Sequence, residues 1–243
     1  IIARDVLLAE HVGSRLHVCH LSTAGSVDII RWAKARGINV TAEVTPHHLL
    51  LTDELVRGYD ARFKVNPPLR REEDVLAVRE GLADGTIDIV ATDHAPHPAE
   101  NKSCEWQAAA NGMVGLESAI HVVQKAMVDG GLLSWADVAR VMSRTPARIG
   151  RLDGHGTPLT AGSPAEITLY DPSGSRLFGT EDLHGRSMNS PYLGTLLPGR
   201  VVTTIHDGYL TLHDGELVDA ATVAAAASRV AAARVAAGVG GRP

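Results

Sequence analysis

The sequence predicts an α/β fold of parallel βαβ units followed by a small β module. Three observations carry this. Apolar strand-like runs alternate with amphipathic helical stretches at a steady pace through the first third of the chain. One such run, Ile87–Ala91, stops abruptly at the polar stretch Thr92-Asp93-His94-Ala95-Pro96-His97. Beyond Gly154 the pattern changes to β-like runs joined by an Asp-Gly turn, a strong hairpin signal.

Taken in order, Ile2–His11 fits an amphipathic helix closed by Gly13-Ser14, and Leu16–Leu21 a strand. The chain opens as though a helix were already under way, so upstream sequence is expected. Ser22 or Thr23 can cap the helix Val27–Arg36, and Gly37 suits its C-terminal side. Ile38–Val44 is rich in β-branched residues and reads as the second strand. Leu49–Val56 is expected to be helical and Phe63–Asn66 extended, since Pro67-Pro68 forbids helix there. Arg71–Ala83 is a helix whose acidic first turn suits the helix dipole, and Ile87–Ala91 is the third strand. Parallel pairing with right-handed crossovers follows.

Pro98–Asn111 reads as an irregular, site-lining loop. Helices are expected over Gly115–Val128, over Leu133–Met142 with Ser134 as cap, and over Thr145–Ile149 with proline in the first turn. Ala165–Tyr170 and Val201–Ile205 are β-like, and Tyr209–Leu212 pairs with Glu216–Val218 across Asp214-Gly215. Ala220–Gly238 is an Ala-rich helix or frayed tail. The expected division is therefore 1–153, 154–218 and a tail at 219–243.

The 243 residues are 44% apolar and 21% charged with net charge −5, ordinary for a globular protein and unlike a nucleic-acid surface. No apolar run reaches membrane-spanning length, and no secretory signal is recognised. Cys19 and Cys104 form no disulfide framework, so a reducing, cytoplasmic setting is expected.

Three successive strand ends carry His20, then Thr45-Pro46-His47-His48, then Asp93 with His94 and His97. Ends of neighbouring parallel strands face one mouth, which is where α/β folds place their chemistry. Imidazole and carboxylate from adjacent strands make half of a zinc site; a catalytic zinc normally takes three protein ligands. Taken singly, Asp93 could equally cap the segment after it, and His20 could be a satisfied core or loop histidine.

The segments HVCHLST, VTAEVTPHHL, VNPPLR, ATDHAPH and NGMVGLE, in this order and spacing, resemble the C-terminal two-thirds of bacterial dihydroorotases of the amidohydrolase superfamily. The resemblance implies a (β/α)8 barrel of the triosephosphate isomerase type, here only its C-terminal strands and helices, with an incomplete small β-sandwich. It implies zinc, two ions per complete active site, bound in part by His20 and Asp93. Asp93 is then also the catalytic acid/base. Asn66, His97, Asn111 and Gly112 are the implied substrate contacts, while His47, His48 and His94 receive no direct role. The implied reaction is reversible hydrolysis of dihydroorotate to N-carbamoyl-L-aspartate in pyrimidine synthesis. The implied partners are a second copy of the chain and aspartate transcarbamoylase, with no nucleic acid or membrane.

The family's HxH pair, the arginine after it, a bridging carboxylate and a further histidine would all lie upstream of Ile1. The isolated chain is accordingly expected to be inactive. Two other readings stay open: a related hydrolase of hydantoins, dihydropyrimidines or allantoin, and a non-catalytic fragment or scaffold.

Overall fold

The computed structural model describes residues 1–236, with side chains described to residue 229. The chain divides into two compact units, Ile1–Gly156 with Ser175–Pro198, and Thr157–Gly174 with Gly199–Pro243.

In the first unit, helix α1 (Ile2–Val12) buries Val6 and Ala9 and ends where Gly13 turns left-handed. Strand β1 (Leu16–Val18) follows, then α2 (Ala24–Ala35), whose N-cap is Thr23, accepting from the Ser26 amide. Strand β2 (Val40–Val44) leads directly into a short helix α3 (Pro46–Leu50). Helix α4 (Glu72–Ala83) returns the chain to β3 (Ile89–Val90). The three strands pair in parallel in the order β1-β2-β3. In β2 the odd side chains Thr41 and Glu43 are half-buried, whereas Val40, Ala42 and Val44 are buried in a core with Val27, Ile30, Val78, Leu82 and Ile87. Gly81 lets α4 approach α2: a Cβ there would lie 2.9 Å from Val27 Cγ1.

Several elements depart from the sequence expectation. The helix expected over 49–56 instead begins at Pro46, because Thr45 caps it (Oγ1 accepts from the His48 amide, 3.2 Å) and proline suits a first turn. A 3₁₀ turn occupies Asp53–Gly58, and another, Ala61–Phe63, takes the start of the expected extended piece. Helix α5 (Ala119–Val123) widens into a π turn at Gln124–Val128. Helix α6 (Trp135–Ala139) starts with the expected Ser134 cap, completed by Asp137 as a reciprocal box. A π turn at Arg140–Arg144 then joins it to α7 (Thr145–Gly150). Pro146 has no N–H to continue the α-helical ladder, which accounts for the change of turn.

The second unit holds most of a four-stranded sheet, β4 (Ile167–Leu177), β5 (Leu196–His206), β6 (Tyr209–His213) and β7 (Glu216–Leu217), in that order. The Asp214-Gly215 hairpin is present, with His213 opposite Glu216. Ser175–Pro198 belongs to the first unit, where Phe178, Leu183, Tyr192 and Leu197 fill a core with Val65, Leu69 and Met113. Helix α8 (Ala220–Ala236) accounts for the Ala-rich stretch, whose last residues lie outside the described ones. No described helix is long and apolar enough to cross a membrane.

Candidate active site

The parallel sheet delivers its polar residues to one end. His20 follows β1, Thr45 to His48 follow β2, and Asp93 follows β3. His20 and Asp93 are both in the left-handed backbone region, φ 40° and 49°. Neither is glycine, so each costs roughly 1–2 kcal/mol that the surrounding structure must supply.

Asp93 is half-buried and accepts no hydrogen bond among the described residues; no helix starts at it, so it is not a cap. Burial raises its carboxyl above the ordinary range, the charge of His20 opposes that rise, and the nearby Glu43 carboxylate adds to it. His20 and Asp93 are thus near enough to act on each other's charge. Glu43 holds the turn from below: one oxygen accepts from the His20 amide (3.4 Å) and the other meets His17 Nε2 (2.9 Å).

The neighbouring strand end is sealed. His47 is buried with Nε2 lacking a hydrogen-bond partner among the described residues, and its ring lies 4.5 Å from that of His48. Burial first, then the charges of His48 and His20, push its protonation well below the usual range. His48 Nδ1 is 2.8 Å from Thr45 Oγ1, while Nε2 lies 3.1 Å and 3.3 Å from the carbonyls of Pro67 and Pro68. Two carbonyls can only accept, so Nε2 carries a proton. Burial lowers its pKa to about 4. His48 therefore ties the segment after Asn66 to the tip of β2. Asn66 itself is exposed.

A second cluster gathers His97, Asn111 and Gly112. His97 Nε2 donates to the Asn111 carbonyl (2.8 Å), and its backbone amide donates to Asn189 Oδ1 (3.3 Å). Asn189 also donates to the carbonyls of Ala95 (2.9 Å) and Gly112 (3.2 Å). Gly112 has φ 126°, and a Cβ there would lie 2.6 Å from Ala95 Cβ and 3.0 Å from His97 Nε2, so only glycine fits. His94 Nδ1 accepts from the Gly115 amide at 3.2 Å.

The Pro98–Asn111 segment is irregular, as expected, but two lysines pin it. Buried Lys102 donates to the carbonyls of Ala110 (2.9 Å) and Gly112 (2.8 Å); burial lowers its pKa to about 8. Lys64 donates to the carbonyls of Trp106 (2.6 Å) and Ala109 (2.6 Å). Sequence reasoning passed over Glu43, Lys64, Lys102 and Asn189. Only Glu43 had a readable signal: a carboxylate inside a β-branched strand of a parallel sheet, where both faces are normally apolar.

The donor set at the sheet end suits a divalent cation. A half-buried carboxylate without a hydrogen-bond donor among the described residues, beside an imidazole, is short of positive charge. One imidazole and one carboxylate would fall short of the three protein ligands a catalytic zinc normally takes.

The amidohydrolase family profile matches residues 4–211, and the chain belongs to the amidohydrolase family. It is 74% identical over 219 residues to a dihydroorotase of Leifsonia xyli subsp. xyli, covering 90% of this chain and 50% of that relative. A Streptomyces coelicolor dihydroorotase is 66% identical over 217 residues, covering 89% and 51%. The chain thus spans about half the length of the curated relatives it matches. Among solved structures, an L-hydantoinase from Arthrobacter aurescens superposes with TM-score 0.81 at 30% identity, covering 90% of this chain and 49% of that one. A D-hydantoinase from a Thermus species gives 0.82 at 26%, covering 89% and 49%.

Proposed function

We propose that this chain carries the His20–Asp93 half of the metal centre and the substrate-contacting half of a zinc-dependent dihydroorotase. The observation that carries the reading is the placement of His20 and Asp93 at one end of a parallel sheet, in left-handed backbone, within a chain 74% identical to a dihydroorotase. The parallel sheet is read as part of a (β/α)8 barrel and the antiparallel one as part of a small sandwich.

His20 and Asp93 would each hold zinc, with the remaining ligands of a two-ion site supplied from outside these residues. When bound, zinc supplies Lewis acidity at the amide carbonyl and acidifies the attacking water. Asp93 accepts that water's proton as oxygen adds to the ring carbonyl carbon. It returns the proton to the ring nitrogen as the C–N bond breaks, giving N-carbamoyl-L-aspartate. The raised pKa of Asp93 helps it hold the proton between the two steps. Asn66, His97, and Asn111 with Gly112 would seat the anionic substrate. The reverse direction closes the ring for pyrimidine synthesis. A cytoplasmic homodimer, and association with aspartate transcarbamoylase, belong to the same reading.

The hydantoinase neighbours favour one second reading, hydrolysis of hydantoins or dihydropyrimidines. Turnover of dihydroorotate, hydantoin, dihydrouracil and allantoin by a form extended to the relatives' length separates the two. Dihydroorotate is expected to dominate, and preference for any other ring would overturn the proposal. Metal analysis of the 243-residue chain is expected to show less than one tightly held zinc at the His20–Asp93 centre; stoichiometric zinc lost in His20→Ala would mean the centre is complete without further ligands.

A further inference from the structure

We propose that His17, Cys19 and Glu43 form a separate binding site for a borderline transition-metal ion of the Zn²⁺ or Co²⁺ type. This inference does not rest on the proposed hydrolase activity.

The backbone brings these three together. His17 lies within β1 and Cys19, two residues on, just beyond its end, so they project from the same face of the sheet. The register sets His17 opposite Thr41 and Val18 opposite Ala42, which carries Cys19 to the level of Glu43 on β2. One donor atom from each of His17, Cys19 and Glu43 lies within 4.8 Å of the others. Donors bound tetrahedrally at about 2.0–2.3 Å from an ion stand roughly 3.3–3.7 Å apart, so small side-chain rotations suffice.

The imidazole is already oriented. His17 Nδ1 lies 2.8 Å from Thr41 Oγ1, whose own hydroxyl points at the Leu16 carbonyl. This contact to Thr41 is the kind of outer interaction that fixes a ligating histidine. Nε2 lies 2.9 Å from Glu43 Oε2, which only accepts, so a proton on Nε2 fills this gap and a metal ion can replace it. Cys19 is exposed and supplies a sulfur at the rim. Nitrogen, sulfur and carboxylate oxygen together favour zinc-like ions over Mg²⁺ or Ca²⁺, which prefer oxygen alone. Loading displaces the proton held between His17 and Glu43 and the thiol proton of Cys19, so binding releases protons to solvent. The ordinary alternative is a His17–Glu43 ion pair beside an unrelated thiol.

Co²⁺ titration of the reduced 243-residue chain decides between them, because only a sulfur ligand gives the thiolate-to-cobalt charge-transfer absorption in the near ultraviolet. One equivalent of Co²⁺ with this band is expected. Cys19→Ser should abolish it, His17→Gln and Glu43→Gln should weaken binding about tenfold or more, and Cys104→Ser and His20→Ala should keep it. No band in the unaltered chain, or a band that survives Cys19→Ser, overturns the site. A band lost in His20→Ala overturns its separateness, placing Cys19 in the His20–Asp93 centre. A measurement needing no variant runs alongside: Zn²⁺ should slow alkylation of Cys19 but not of Cys104, and equal rates with and without Zn²⁺ count against the proposal.

Discussion

Asp93 and Asp214 share a backbone state for opposite reasons. Their φ values are 49° and 48°. Asp214 is followed by Gly215 at φ 84°, and the two make a two-residue loop between paired strands. Such a loop demands positive φ at both central residues, and Asp-Gly is a sequence that supplies it. Asp93 is followed by His94, leads into no hairpin, and ends a buried parallel strand. Nothing local asks for its conformation. The parallel sheet enforces it from outside, whereas the antiparallel sheet obtains it from the two turn residues. Strain of this kind gathers at functional positions, and His20 at φ 40° repeats it two strands away, after β1.

The largest expected effect tests what that strain positions. In a form extended to the relatives' length, Asp93→Asn keeps the shape and removes the proton carrier. Turnover should fall by at least ~10². Near-normal turnover with metal retained would remove Asp93 from the chemistry and leave its strain without purpose. Asp93→Gly sharpens the contrast: the backbone is relieved, so thermal stability should hold or rise while activity is lost.

Gly112→Ala comes next. It forces a Cβ to 2.6 Å from Ala95 and a side chain into φ 126°. Overpacking and backbone strain together should cost roughly 3 kcal/mol, read as a lowered melting temperature. A change under about 0.5 kcal/mol would mean the His97–Asn111–Gly112 cluster is not held as tightly as its distances say.

The same contrast explains what the sequence discloses. Local causes are legible: the steady βαβ pacing, the Asp214-Gly215 hairpin, Thr23 and Ser134 as caps, and the strand ends at His20 and Asp93. Remote causes are not. Lys64 and Lys102 donate to backbone carbonyls, which every residue type presents, so no pattern announces the pairing. Ser175–Pro198 returns to the first unit because Tyr192 and Leu197 find a core there, and its residues alone do not name that core. Thr45-Pro46 is itself a local helix start, a capping residue followed by proline, and the helix begins there.

Acid should separate the two units. The histidines whose protonation burial opposes, His47, His48 and His121, all lie in the first unit. For His48 the folded pKa is about 4 against an ordinary 6.5. A depressed folded pKa means its contribution is complete above about pH 6.5 and is lost as pH falls through about 4. The loss should be at most about 3 kcal/mol for this one ring. Chemical denaturation at pH 7 and pH 4.5 checks it. His48→Gln lowers stability at pH 7 but should flatten this slope. An unchanged slope would assign the acid sensitivity to other groups.

The smallest effect tests the local side. At Asp214, asparagine also tolerates left-handed backbone, so Asp214→Asn should change stability by no more than about 0.5 kcal/mol. Alanine lacks the side-chain bonds that make the state tolerable, and Asp214→Ala should cost about 1 kcal/mol. The loss should appear as faster amide exchange in β6 and β7, where His213 pairs with Glu216 and Leu212 with Leu217. If alanine and asparagine behave alike, the hairpin is held by its strands and not by its turn. Asp214 would then stand closer to Asp93 than its sequence suggests, since the conformation of both would be imposed from outside.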